Sequence, residues 1–318
     1  MELRQLEYVL GIVEHGGFTR AASALHISQP ALSQAVRTLE KELGADLFVR
    51  SGRRVALTPA GEAFVGPARQ AVRGAGTARA AVDAVAGLRA GRLDLVCLPT
   101  LAVSPVAELI GGFRKAYPMV VVRLVEPEDI DTVASRVTNG ESEIGCSDLP
   151  IDETGLTAVQ LESQEYVAIL PPGSAPGRAD GSIHVRALAT IPLITTPVGT
   201  STRRLLDDAL AAAGITASFA VETDHREAIA ELVIAGAGAA ILPRPVAQNA
   251  ATRGVVVCDI RPRIDRRIAL IHRAAPLSPA ARAFMEVAAV RDEGSSTTSR
   301  IRRPDRGRSR PGRPAPTR

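Results

Sequence analysis

The stretch from Phe18 to Gly44, FTRAASALHISQPALSQAVRTLEKELG, decides how the first part of this chain folds. Thr19 is placed to cap a first short helix over residues 21–25, and His26-Ile27 supply a tight turn. Ser28 then caps a second helix, with Pro30 just inside its start, where a missing N–H costs nothing. The spacing predicts that Ala31, Val36, Leu39 and Leu43 pack inward, with Gln29, Ser33, Gln34 and Arg37 on or beside the opposite face. Two helices around a turn, the second able to hydrogen-bond base edges and phosphates, form the layout of a DNA-reading helix-turn-helix. A plain helical hairpin with one polar face has the same look, so the flanks must decide.

Before the motif, Leu3, Leu6, Val9, Leu10 and Val13 recur at helical spacing and supply a third helix to close a small core. After it, ADLFVRSGRRVALT reads as strand, Ser-Gly-Arg-Arg turn, strand, which is a wing. Arg50, Arg53 and Arg54 at its tip are suited to a phosphate backbone, although a solvated basic hairpin would carry the same residues. The DNA contacts expected are therefore Thr19, Arg20, Ser28, Gln29, Pro30, Ser33, Gln34 and Arg37, with Arg50, Arg53 and Arg54 from the wing.

The run from Met1 to about Leu88 resembles the amino-terminal region of LysR-type transcriptional regulators. The likeness rests on FTRAA, SQPALS, LEKELG, LFVR and LTPAGE in this order. It departs from the family pattern at Gln34-Ala35, where many members carry a basic or second polar residue. The order of the later segments also fits, so the resemblance extends over roughly residues 1–290. It implies a sequence-specific DNA-binding regulator, not an enzyme, controlled by a small-molecule effector. The resemblance also implies an antiparallel linker-helix homodimer, with tetramer contacts from the carboxy-terminal domains and RNA polymerase as a further partner.

Composition fits this organisation. The chain has 318 residues, 46% of them hydrophobic, enough for two real cores. Its net charge of +4 is uneven: the first 90 residues and the last 27 carry the basic excess, and the body between is acidic. No apolar run is long enough for a membrane span, and the amino terminus opens on a charged amphipathic helix rather than a signal-peptide pattern. The cytoplasm is the expected compartment. Cys97, Cys146 and Cys258 form no CxxC and the five His are scattered, so no metal and no cofactor is expected. All three Cys lie in apolar strand-like runs, which makes them small core residues; a redox pair of Cys97 with Cys146 is the competing role.

Four segments are expected: a winged helix-turn-helix over 1–58, a linker and dimerisation helix over 59–90, a two-lobed α/β domain over 91–291, and a disordered basic tail over 292–318. Thr58-Pro59 opens the linker helix, and Phe64, Ala68, Ala71, Ala75, Ala78, Val82 and Val85 form a heptad-like seam. A two-fold dimer on that seam calls for a partly palindromic site, with half-sites about 10 bp apart or a multiple of that. The tail, rich in Arg, Pro, Gly and Ser, has too little apolar surface to fold alone.

From Arg92, apolar runs such as LDLVCLP, MVVVRLVE and SEIGCSD alternate with amphipathic segments, the pattern of a mostly parallel sheet covered by helices. A second such set follows, and RRIALIHR with the helix after it returns to the first. Resemblance identifies this as a periplasmic-binding-protein-like effector domain. In such sheets ligands bind beyond the carboxyl ends of strands and at helix N-termini. Thr100 and Leu101 on one side, and Thr196, Thr200 and Ser201 on the other, are therefore placed to meet a small anion, a carboxylate above all. Plain helix capping by the same Thr and Ser is the alternative for each. Asp148 and the pair Asp224-His225 are further residues expected at the cleft. An enzyme remains the rival class, yet the sequence has no GxSxG and no HExxH.

Overall fold

The computed structural model describes residues 1–51, 54–84, 91–151, 154–175 and 180–300. Helix α1 (Leu3–His15) ends on Gly16, whose left-handed backbone (φ 66°) favours glycine. The chain then enters α2 (Phe18–Ala24) and α3 (Gln29–Leu43). Helix α2 begins three residues before the expected start: Gly17 is its N-cap, and Thr19 lies inside the first turn with no capping role. Phe18 fixes this earlier start by packing edge-on against Phe48, ring centres 5.5 Å apart. Ser28 caps α3 as the sequence suggests, its hydroxyl accepting from the Ala31 N–H at 3.3 Å.

The buried stripe of α3 is Leu32, Val36 and Leu39, all 0% exposed and packed with Val9, Ile12, Ala21 and Leu47. Ala31 is exposed and Leu43 is 41% exposed, so the inward face is rotated from the expected one by about a residue. Glu40 is buried on the same side, where its carboxylate accepts the backbone N–H of Leu47 at 3.0 Å. That bond ties the end of α3 to the wing, the antiparallel pair β1 (Phe48–Ser51) and β2 (Arg54–Leu57). Helix α4 (Pro59–Ala84) follows, with Thr58 Oγ1 accepting from Gly61 N at 3.0 Å. A Cβ on Gly61 would stand 2.1 Å from the Leu47 carbonyl oxygen, so wing and linker meet backbone to backbone.

Past α4 the chain alternates. In order come β3 (Gly91–Cys97), α5 (Pro99–Leu101), α6 (Ala107–Ala116), β4 (Val120–Val125), α7 (Ile130–Thr138), β5 (Ile144–Asp148) and β6 (Leu156–Gln160). The helical stretch between β3 and α6 is broken at Ser104, which is extended (φ −158°, ψ 126°) ahead of Pro105, a residue that disfavours helical backbone in the one before it. Then follow β7 (Gln164–Leu170), β8 (Ser182–His184), α8 (Val185–Leu188), β9 (Leu193–Thr195), α9 (Ser201–Ala212), β10 (Phe219–Glu222), α10 (Arg226–Ile234), β11 (Ala240–Pro243) and α11 (Arg244–Ala251). The last elements are β12 (Val256–Arg266), β13 (Ile268–Arg273) and α12 (Pro279–Arg300).

These strands make two lobes. Lobe I has the order β4-β3-β5-β13-β6, and lobe II has β11-β7-β12-β8, extended through a bridge at Leu193 and Ala239 to β9 and β10. The pairs β3 with β4 and β3 with β5 are parallel, as alternation with helices requires. The sheets are nevertheless mixed, not mostly parallel: β13 is antiparallel to β5 and β6, and β7 to β11 and β12. The cause is the route of the chain, which leaves lobe I after β6 and comes back from β12 into β13. The two crossings are hydrogen-bonded to each other, Leu161 N to the Ile268 carbonyl at 2.9 Å. Helix α12 closes lobe I, with Phe284 edge-on to Phe113 of α6 at 5.7 Å. It continues to Arg300, into the stretch expected to be tail, because extending a packed helix needs no new nucleation. Residues 301–318, the rest of that tail, lie outside the described residues.

Helix α4 is pinned to lobe I by its arginines. Arg73 donates to the Gly140 carbonyl at 2.8 Å, and Arg69 to Glu141 at 2.7 Å, at the C-terminal end of α7 where cations are favoured. Along the expected seam, Phe64 is half-buried and Ala68 buried, whereas Ala71, Ala75 and Ala78 are exposed and Val82 is 72% exposed. Val85 lies outside the described residues.

Candidate functional site

On the head, Gln29, Pro30, Gln34 and Arg37 are exposed along one side of α3, with Ser28 at its start and Thr19 exposed on α2. Arg20 folds back to donate to the Gly16 carbonyl at 2.9 Å. Ser33 departs from expectation: it is 8% exposed, turned inward by the same rotation that buries Leu32. Its hydroxyl accepts from Gln29 Nε2 at 2.9 Å and so orients the Gln29 amide. Arg50 and Arg54 stand on the paired wing strands, and Arg53 lies outside the described residues.

Between the lobes, the structure joins residues far apart in sequence around one guanidinium. Arg266, at the end of β12 and 3% exposed, donates through Nη1 to Thr100 Oγ1 at 2.6 Å and to the Tyr166 hydroxyl at 2.7 Å. Its Nε donates to Asp148 at the end of β5, and the other oxygen of Asp148 accepts from Ser201 Oγ at the start of α9. Asp148 thus bridges lobe I to lobe II. Burial works against the charge of Arg266, but Tyr166 and Asp148 more than offset it and hold the guanidinium above its ordinary pKa. Arg266 Nη2 and the Ser147 hydroxyl are buried without a hydrogen-bond partner. A buried cation with an unused N–H edge, beside a helix N-terminus, is the arrangement that accepts an anion.

Thr196 and Thr200 lie beside this cluster in sequence and share a hydrogen bond of 2.6 Å, with Thr200 also capping α9. Leu101 is 0% exposed inside the core of lobe I, which removes it from the contact surface. Asp224 and His225 are exposed and make no bond to the Arg266 cluster; their neighbour Arg226 forms a two-pronged pair with Glu128 across the lobes. Arg266 and Tyr166 escape a sequence reading because their partners lie 100 to 166 positions away. Nothing local marks Arg266, which is one of five charged residues in β12.

All three thiols are buried. Cys97 and Cys146 face each other on β3 and β5, yet burial pushes Cys146 up to about 12 and, with Cys146 beside it, pushes Cys97 higher still. A thiolate is therefore scarce where a peroxide would have to be attacked. Native protein at about pH 8 is expected to leave these thiols unlabelled by a water-soluble disulfide reagent, with full labelling after unfolding. Rapid native labelling of Cys97 or Cys146 would restore the redox role.

A winged helix-turn-helix head joined by a long helix to a two-lobed α/β body defines a DNA-binding regulator with an effector-binding domain. Residues 3–62 match the family described as bacterial regulatory helix-turn-helix protein, lysR family, and residues 86–291 match the LysR substrate binding domain. The chain is 31% identical over 251 residues to the HTH-type transcriptional regulator IlvY of Escherichia coli (strain K12), covering 78% of this chain and 84% of that protein. It is 32% identical over 275 residues to a probable hydrogen peroxide-inducible genes activator of Mycobacterium avium, covering 84% and 86%. Among solved structures, a full-length OxyR variant from Pseudomonas aeruginosa superposes with a TM-score of 0.74 at 26% identity, covering 91% of this chain and 94% of that one. Full-length CbnR complexed with its target DNA does so at 0.65 and 25% identity, covering 91% and 99%. The chain belongs to the LysR family of transcriptional regulators. These relatives are regulators rather than enzymes, and no helix among the described residues is long and apolar enough to cross a membrane.

Proposed function

We propose that this chain reads a partly two-fold symmetric DNA site and that a small anion held between its lobes, a carboxylate in the first instance, changes its grip on that site. The observation carrying the ligand class is Arg266, a buried cation with an unused N–H group beside the first turn of α9. Here the Asp148 carboxylate occupies the anion position, between Arg266 and Ser201. A ligand carboxylate competes for the same donors, together with Thr100, Thr196 and Thr200. Because Asp148 belongs to one lobe and Ser201 to the other, exchanging it for a ligand changes how the lobes meet and shifts an existing equilibrium.

The DNA side uses Gln29, Gln34 and Arg37 on α3, with the wing arginines on phosphates. The exposed Ala71, Ala75, Ala78 stripe of α4 is the surface for a second copy, which supplies the second half-site. Purified protein mixed with genomic fragments at physiological salt, with sequencing of the retained pieces, is expected to return a symmetric motif. The enrichment should change when carboxylates are added. Retention without any enriched sequence, under every carboxylate tried, would sink the reading.

A further inference from the structure

Strand order says how far each contact between the lobes stands from the crossings at Leu161 and Ile268. In lobe I the crossings join at β6 and β13; Asp148 ends β5, the next strand out, and Glu128 follows β4, the opposite edge. In lobe II they join at β7 and β12, and Arg226 follows β10, which is reached from them only past β11 and β9. At about 4.8 Å per strand, Asp148 stands about 5 Å from β13 and the end of β4 about 14 Å from it, so lobes opening at the crossings move that outer edge about three times as far as Asp148.

A single ion pair spans this outer edge among the described residues. The Arg226 guanidinium donates to Glu128 of the other lobe through both terminal nitrogens, Nη1 reaching Oε1 at 2.7 Å. Arg226 opens α10, where the helix dipole disfavours a cation, and lobe I supplies a compensating carboxylate. The two side chains are 17% and 48% exposed, so water can take up both charges when the pair parts, whereas parting Arg266 from Asp148 strands charge in the interior.

We propose that Glu128 and Arg226 form a latch that sets the balance between closed and open lobes. Made, it holds the outer edge shut over the Arg266 end of the cleft; broken, it frees that edge while Asp148 stays close to Arg266. The balance exists without any ligand, and a two-pronged, partly covered pair shifts it about fivefold.

Spin labels on Arg123→Cys of β4 and Ala220→Cys of β10, exposed residues of the two outer strands, read the separation of the lobes in the ligand-free full chain, the three native thiols being buried. Dilution into unlabelled protein confines the reading to one subunit. Glu128→Gln and Arg226→Gln should each raise the ratio of wide to narrow separations about fivefold, and the double variant no further. Exchanging the charges, Glu128→Arg with Arg226→Glu, should return the ratio toward the parent's. High salt should widen the parent and leave the double variant as it is. A parent without the narrow population or indifferent to salt, single variants that match the parent, or an exchanged pair as open as the single variants overturns the proposal.

Discussion

Arg266→Met is expected to lower the stability of the carboxy-terminal domain by about 3–5 kcal/mol, the usual cost of removing one partner from a buried ion pair. The substitution strands the Asp148 carboxylate, whose side chain is 13% exposed, and strips the Tyr166 and Thr100 hydroxyls of a charged donor. Pairing it with Asp148→Asn removes the stranded charge and should recover a large part of the loss. The chain has no tryptophan, so urea unfolding is best followed by circular dichroism. A single variant as stable as the parent would mean that Arg266 is not the centre of the cluster.

Gln29→Ala should cut discrimination between the selected DNA site and single-base variants by about 1–3 kcal/mol, roughly fivefold to 150-fold. Ser33→Ala should move the same quantity in the same direction by less, because the inward Ser33 hydroxyl acts by holding the Gln29 amide. The double variant should then match Gln29→Ala alone. Competition binding against a panel of substituted sites reads all three. If Gln29→Ala weakened every sequence alike, Gln29 would be a phosphate contact.

Legibility in the sequence follows the distance between partners. The Ser28 cap, the His26 turn and the wing depend on neighbours within a few residues, and local chemistry fixes them. The inward face of α3 differs from its sequence reading by about a residue because Ala31 and Leu32 both suit an apolar stripe, and only packing against α1 and the wing chooses Leu32. The short strands β6 and β8 carry little apolar pattern of their own and exist because β13 and β12 offer them an edge. Thr100, Thr196, Thr200 and Ser201 can be named from strand ends and helix starts. The guanidinium that joins Thr100 to Ser201 through Asp148 cannot, since a charge at a strand end reads as solvated until the second lobe covers it.

The paired crossings also limit the signal this domain can carry. Two lobes joined by one strand could swivel in any direction, but the segments at Leu161 and Ile268 lie side by side and are bonded together, like two knuckles on one pin. What remains is rotation about the line through them. On the proposed reading, a ligand that changes how the lobes meet would therefore act on the head through that one angle.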